Sequence, residues 1–236
     1  MFDKASKVKD IFSAVAGKYD CMNDLMSFGL HRAWKKHLCN LLVNKNAKLL
    51  DCAAGSGDVA LSFYKDAKKL YGEPKVTISD INEDMLAKAK EKCAKDNIFD
   101  IDFVCADAQT LPFEDNSFDY YTISFGIRNV SDRSRALSES FRVLKPGASF
   151  FCLEFSPITT PIVKDLYCAY SNFIIPNIGS LITGRKDAYE YLTDSINQFP
   201  CPQKFAKEVK NQGFVDVEYK EFLTGIAVLY RGMKPC

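Results

Sequence analysis

Asp51-Cys52-Ala53-Ala54-Gly55-Ser56-Gly57-Asp58-Val59-Ala60 joins an apolar run, Leu49 to Ala53, to an amphipathic one, Asp58 to Leu70. The first run predicts a short buried strand, and the second, apolar at helical spacing, predicts a helix. Gly55 and Gly57 between them allow a tight turn and a close backbone approach, with the amides of the new helix pointing at whatever lies above it. Outward from this unit the alternation repeats. Val76 to Asp80, Ile101 to Cys105, Tyr120 to Ser124 and Ser149 to Leu153 predict strands. Asn82 to Lys95 and Arg133 to Leu144 predict helices, the last ended by Lys145-Pro146-Gly147. Strands alternating with helices imply right-handed crossovers and a mostly parallel sheet with helices on both faces.

The chain is thus expected to be α/β, with a Rossmann-like core. Upstream, Val8, Ile11, Phe12 and Val15, then Trp34, Leu38, Leu41 and Leu42, fall at helical spacing and predict a helical extension over 1–46. The core domain is read over 47–236. Its alternation lapses in an insert over 156–202, after the fifth strand. A helix from Pro202 to Gln212 and strands from Phe214 to Tyr219 and Ile226 to Tyr230 complete seven strands.

Composition narrows the function classes. A chain of 236 residues is one large domain at roughly 150 residues per domain. Hydrophobic residues at 47% and charged residues at 26% describe an ordinary folded chain. The 31 Lys+Arg against 30 Asp+Glu leave a net charge of +1, too little to build a field for a phosphate backbone, so no nucleic acid partner is expected. The 9 cysteines form no Cys-x-x-Cys pair and the 2 histidines, His31 and His37, add little, so no metal site is expected. An odd cysteine count and a polar start without an apolar signal core point to a cytoplasmic setting. The longest uncharged stretch, Leu166 to Gly184, is interrupted by Asn172, Pro176, Asn177 and Gly179, and makes a poor spanning helix.

Ligands of such sheets bind beyond the carboxyl ends of the strands, which makes the glycine loop the first candidate site. Asp80 ends the second strand, where a carboxylate accepts from both ribose hydroxyls of a nucleoside. Gly55-x-Gly57-x-x-Ala60 also satisfies a dinucleotide fingerprint, so an NAD-dependent oxidoreductase is a rival reading. Asp58, directly after the second glycine, is expected to oppose a pyrophosphate there. With Asp51, and with Asp107 placed to accept from an adenine amino group, the acids favour S-adenosylmethionine, which carries cationic groups and no phosphate.

Several runs carry a resemblance. Lys18-Tyr19-Asp20-Cys21-Met22-Asn23-Asp24-Leu25-Met26-Ser27-Phe28-Gly29-Leu30-His31-Arg32-Ala33-Trp34-Lys35 and Ile123-Ser124-Phe125-Gly126-Ile127-Arg128-Asn129-Val130 are the most specific. Asp80-Ile81-Asn82-Glu83-Asp84-Met85-Leu86, Leu111-Pro112-Phe113, Arg142-Val143-Leu144-Lys145-Pro146-Gly147, Leu153-Glu154-Phe155-Ser156 and Leu223-Thr224-Gly225-Ile226-Ala227 extend it over almost the whole chain. Together they resemble the ubiquinone/menaquinone biosynthesis C-methyltransferases, a class I, S-adenosylmethionine-dependent family. The glycine loop departs slightly: Cys52, Ala54 and Ser56 stand where the family usually has Leu, Gly and Thr, while both glycines of the close approach are kept.

The resemblance implies methyl transfer from S-adenosylmethionine to a ring carbon of a polyprenylated benzoquinol or demethylmenaquinol. It implies cofactor contacts at Asp51, Ala53, Gly55, Gly57, Asp80, Ile81, Asp107, Ala108 and Ser124. Arg128 and Asn129 are expected on the acceptor side, Arg128 stabilising a phenolate directly or through water; an ion pair with a neighbouring acid is its alternative. Tyr19, with Asp20 and Asn23, is expected to cover the cofactor and touch the quinol, the alternative being a packed helix junction. His31 is the neutral base of that region, or a structural histidine. The insert is expected to form a hydrophobic entrance for the prenyl tail and a peripheral contact at the inner membrane surface; its alternatives are a helix pair packed on the core or a homodimer contact. Pro200-Cys201-Pro202-Gln203 resembles a cytosine-methyltransferase nucleophile, but lies far beyond the fourth strand in a chain too small for base recognition. Other open readings are a methyltransferase for another hydrophobic phenol and a non-catalytic nucleoside-binding module.

Overall fold

The computed structural model describes residues 23–24, 26–27, 29–158 and 186–236. Seven strands, β1 (Lys48–Cys52), β2 (Lys75–Asp80), β3 (Ile101–Cys105), β4 (Phe118–Ser124), β5 (Leu144–Phe155), β6 (Val215–Phe222) and β7 (Ala227–Met233), form one sheet in the order β3-β2-β1-β4-β5-β7-β6. The first five pair in parallel, and β7 runs antiparallel between β5 and β6. The helices are α1 (His31–Leu41), α2 (Asp58–Lys69), α3 (Glu83–Lys95), α4 (Arg133–Val143), α5 (Lys186–Gln198) and α6 (Pro202–Asn211). The expected mostly parallel, seven-stranded α/β architecture is what forms.

Alternation along each strand sends neighbouring side chains to opposite faces, and each face carries its own core. Leu49 packs with Trp34, Leu38, Val59, Phe63 and Leu86, under α1, α2 and α3. Leu50 and Cys52 pack with Leu137, Phe150, Phe205 and Val209, under α4 and α6. The order switches at β1, where β2 and β3 lie on one side and β4 on the other. That leaves the crevice at the carboxyl end of β1 open to ligand.

Helix starts follow local chemistry. Asn82 caps α3 by accepting from the Asp84 and Met85 amides, and Asp132 caps α4 by accepting from the Arg135 amide. Pro202 opens α6, where a missing N–H costs nothing. The boundary after α4 differs from the sequence reading. Lys145-Pro146-Gly147 does not separate helix from strand, because β5 begins at Leu144, immediately after the helix. Phe118 pairs with Leu144 but Tyr120 with Ser149, so the Pro-Gly segment is accommodated as a bulge, with Gly147 at φ 75°.

The helix of the extension that the structure describes is part of the domain core. Trp34 on α1 stacks on Phe222 at 5.7 Å between ring centroids and meets Phe155 edge-on at 6.4 Å. Those two rings belong to β6 and β5, so α1 is packed against the sheet next to the carboxyl end of β5. Tyr19 and Asp20, and the uncharged core of the insert over 166–184, lie outside the described residues.

Candidate functional site

The turn after β1 runs through left-handed backbone conformations, two of them at glycines. Ala53 has φ +48°, Gly55 +58° and Gly57 +77°. A Cβ on Gly57 would lie 2.9 Å from Ile78 Cδ1, and one on Gly126, after β4, would lie 2.6 Å from Ala53 Cβ. The β4 loop therefore presses directly on the glycine turn, bringing two segments of the expected site together.

Asp80 closes the far side of the turn. Its Oδ2 accepts from the Gly55 amide at 2.8 Å and its Oδ1 from the Asn82 amide at 2.9 Å. Burial raises its pKa, while these amides pull it back. A carboxylate braced by one amide on each oxygen keeps a second lone pair per oxygen, the pattern that paired hydroxyls require. Across β2 and β3, Cys105 pairs with Asp80, and Asp107 follows two residues on. Asp107 accepts from the Gln109 amide and side chain at 2.9 Å each. Ile81 is exposed and Ala108 buried in the same rim. Ser124, at the end of β4, has a buried Oγ with no hydrogen-bond partner among the described residues, as do Ser79 near the end of β2 and Ser156 just past β5. Buried hydroxyls are ordinarily paired. Three orphans at the carboxyl ends of the strands fit a polar ligand seated there.

Two acids differ from their expected behaviour. Asp58 was expected as a bare carboxylate facing a would-be pyrophosphate. Instead Lys35 of α1 meets its Oδ2 at 2.8 Å and Lys92 of α3 meets its Oδ1 at 2.7 Å. Burial alone would raise Asp58, but the two lysines outweigh it and hold it well below the usual carboxylate range. Its charge is neutralised by lysines from two neighbouring helices, so it does not discriminate against a phosphate. Lys92 also donates to Ser56 Oγ at 2.6 Å, which ties the glycine turn to α3.

Asp51 accepts from Thr122 Oγ1 at 2.7 Å and the Ala60 amide at 3.1 Å. Burial, only partly offset by these bonds, pushes its carboxyl up to about 7. A group whose pKa is raised in the fold binds its proton more tightly there than in the unfolded chain. Asp51 therefore favours folding most below its ordinary 3.8 and progressively less as pH climbs to about 7. Comparing Asp51→Asn with the parent chain by thermal melting should give a difference that changes in the variant's favour between these two values and is level above them. A difference constant with pH would refute the buried titration.

The second half of the site lies after β4. Arg128 forms a buried ion pair with Glu154 of β5 and donates to the Phe125 carbonyl at 2.7 Å. Glu154 Oε2 also accepts from the Arg128 amide at 3.2 Å, and Oε1 from the Phe155 amide at 2.9 Å. This is the ion-pair alternative weighed for Arg128, with both side chains fully buried. Arg128 still borders a half-enclosed cavity of about 280 Å³ that Tyr191, Ser195 and Phe199 also line. The Tyr191 hydroxyl donates to Asn129 Oδ1 at 3.2 Å. A wider groove of about 570 Å³ lies between α4 and α6, but there Asp132 caps its own helix and Arg133 pairs with Glu208, so its main charges are already satisfied.

His31 is buried at the start of α1, its Nδ1 3.2 Å from Ser27 Oγ and 3.4 Å from Asp24 Oδ1. Both of these partners sit on its own segment. Asn23 is buried, and neither of its side-chain polar atoms has a hydrogen-bond partner among the described residues. Sequence reasoning did not single out Asn82, Thr122, Glu154, Lys35, Lys92 or Tyr191. Asn82, Glu154 and Lys35 stood inside quoted motifs; nothing in local spacing marks Tyr191.

The ubiE/COQ5 methyltransferase family matches residues 1–234. This chain belongs to that family. It is 49% identical over 233 residues to the ubiquinone/menaquinone biosynthesis C-methyltransferase UbiE of Rickettsia bellii (strain OSU 85-389), covering 98% of this chain and 94% of the relative. It is 51% identical over 228 residues to the UbiE of Rickettsia prowazekii (strain Madrid E), covering 96% and 92%. A solved S-adenosylmethionine-dependent methyltransferase from Aquifex aeolicus superposes with a TM-score of 0.62 over 99% of both chains at 16% identity, which speaks to fold alone. As a ubiE/COQ5-family protein the chain is a methyltransferase, and S-adenosylmethionine is its methyl donor. The NAD-dependent oxidoreductase and the non-catalytic module are thereby set aside. No described helix is long and apolar enough to cross a membrane.

Proposed function

We propose that this methyltransferase alkylates a ring carbon of a prenylated benzoquinol or demethylmenaquinol, the step its UbiE relatives are named for. The observation that carries the reading is the juxtaposition after β1 and β4. Asp80 and the glycine turn form a nucleoside cradle, and the Gly126 loop, leading directly to Arg128 and Asn129, packs against that turn. When bound, S-adenosylmethionine supplies an electrophilic methyl group. Asp80 takes the ribose hydroxyls, Asp107 the adenine edge, and Ser124 contributes a free hydroxyl. Ala53, Gly55 and Gly57 bring backbone close to the nucleoside, Ile81 and Ala108 flank the adenine, and Asp51 lies beneath the turn.

The acceptor carbon is a weak nucleophile until its neighbouring hydroxyl ionises. The positive charge of Arg128, held against Glu154 beside the cavity, favours that ionisation. Asn129, next in the chain, donates to the same oxygen in this reading. Holding carbon and methyl group in line contributes up to about 7–11 kcal/mol of the barrier. The covering role expected of Tyr19 lies outside the described residues. Methylation of a tail-less demethylquinol, followed by mass spectrometry and compared with a panel of unrelated phenols, tests the assignment. Transfer to the other phenols with none to the quinol would favour a different hydrophobic phenol as substrate.

The prenyl tail and a peripheral membrane contact fall to the insert, supported by the run of apolar and aromatic residues from Tyr167 to Ile182 broken by Pro176 and Gly179. Replacing Phe173 and Ile174 together by Ser should abolish liposome association and activity on long-tailed quinols, yet spare activity on a tail-less analogue. Equal loss on both substrates, or conversion of a dimer to a monomer in sedimentation without a tail-dependent effect, would instead assign the insert to packing or self-association.

A further inference from the structure

Tyr191 belongs to α5, beyond the insert, and is brought to the end of β4 only by the fold. Its hydroxyl donates to Asn129 Oδ1 at 3.2 Å, across 62 residues of chain. Its ring lines the cavity that Arg128 borders. An amide that receives a proton on Oδ1 is held in one of its two flipped orientations, with Nδ2 directed away from the donor. Burial raises the Tyr191 phenol, outweighing the pull of Arg128 and keeping it a hydrogen-bond donor at neutral pH. Asn129 follows Arg128 directly in the 3-10 turn Ile127–Asn129, whose own backbone is pinned by the Arg128 amide on Glu154. With the turn fixed and Oδ1 occupied, the freedom left to Asn129 is small.

We propose that Tyr191 is a positioning residue that fixes the Asn129 amide so that its Nδ2 donates to the ring oxygen of the acceptor. The inference rests on the acceptor being a phenol, as proposed above. A neutral amide set in one orientation stabilises the charge developing on that oxygen, and a freely flipping amide presents its carbonyl half the time, which opposes it. Tyr191 thus acts on the acceptor through Asn129, beside the buried Arg128–Glu154 pair that fixes the turn.

The test is a double-mutant cycle of Tyr191→Phe and Asn129→Ala, assayed on a tail-less quinol. Tyr191→Phe should lower kcat about tenfold, the worth of one hydrogen bond made in the transition state, with calorimetric affinity for S-adenosylmethionine and melting temperature unchanged. In the Asn129→Ala background the same substitution should cost almost nothing. An acceptor whose hydroxyl is made more acidic by an electron-withdrawing ring substituent should lose less than tenfold on Tyr191→Phe, a response that a purely structural role would not give. Additive losses, or a loss independent of acceptor acidity, would overturn the proposal. Should the wild-type enzyme methylate a different phenol and no quinol, the quinol reading fails, and the same cycle run on that phenol still decides the role of Tyr191.

Discussion

Arg128→Ala is expected to lower the free energy of unfolding by about 3–5 kcal/mol, because it leaves a carboxylate buried without its partner. Glu154 is fully buried, and the two hydrogen bonds from the Arg128 and Phe155 amides cannot replace a guanidinium. Burial already raises its pKa in the intact protein, with Arg128 the main force holding it down. In the variant it should protonate more readily still. A group with a raised folded-state pKa opposes folding as pH increases, so the loss should be larger at pH 8 than at pH 5 by urea denaturation. If Arg128 stabilises the acceptor phenolate as proposed, turnover of the folded fraction should fall far more than S-adenosylmethionine affinity. Glu154→Gln keeps an acceptor for Arg128 but leaves a buried guanidinium without its counter-charge, so it should also destabilise, with a loss that depends far less on pH because arginine stays protonated. An unfolding midpoint unchanged in Arg128→Ala would contradict the pair; normal turnover would confine Arg128 to a structural role.

Asp80→Ala should weaken S-adenosylmethionine by about ten- to a hundredfold, from roughly 1.5–3 kcal/mol of charge-assisted hydrogen bonding. Part of that loss has a local origin. The Gly55 and Asn82 amides both donate to this carboxylate, and without it the turn at the end of β1 loses its brace. Asp80→Asn separates the contributions, because the amide retains one acceptor but presents a donor where the other amide now bonds. Calorimetry should rank wild type above Asp80→Asn and both above or equal to Asp80→Ala. Wild-type affinity in Asp80→Ala would remove Asp80 from the cofactor site.

The parts of the site legible in the chain were those carried by neighbours in sequence. The turn at Gly55 and Gly57 is announced by small residues between an apolar run and an amphipathic one, and Asp80 by its place at the end of the next run. Charge was read less well. Asp58 looked like an unshielded acid beside the turn, yet lysines 23 and 34 residues away neutralise it. Asp51 looked ionised, yet burial pushes it up to about 7 against the pull of its bonds from Thr122 and the Ala60 amide. Exposure and counter-charges set a carboxylate's state, and neither can be read from the residues beside it.

Period-two and helical spacing, glycine at turns and acids at strand ends act within a few residues, and so the sequence by itself determined the α/β order, the parallel core and the position of the nucleoside loop. Only tertiary structure decided which strand ends meet. The pairing of Arg128 with Glu154 across 26 residues, the bond from Tyr191 to Asn129 across 62, and the clasp of Lys35 on Asp58 all depend on sheet order and helix packing. So does the bulge at Pro146 and Gly147, which lets β5 start directly after α4. Local propensity proposes an element, but the register of neighbouring strands determines where it ends and what its side chains reach.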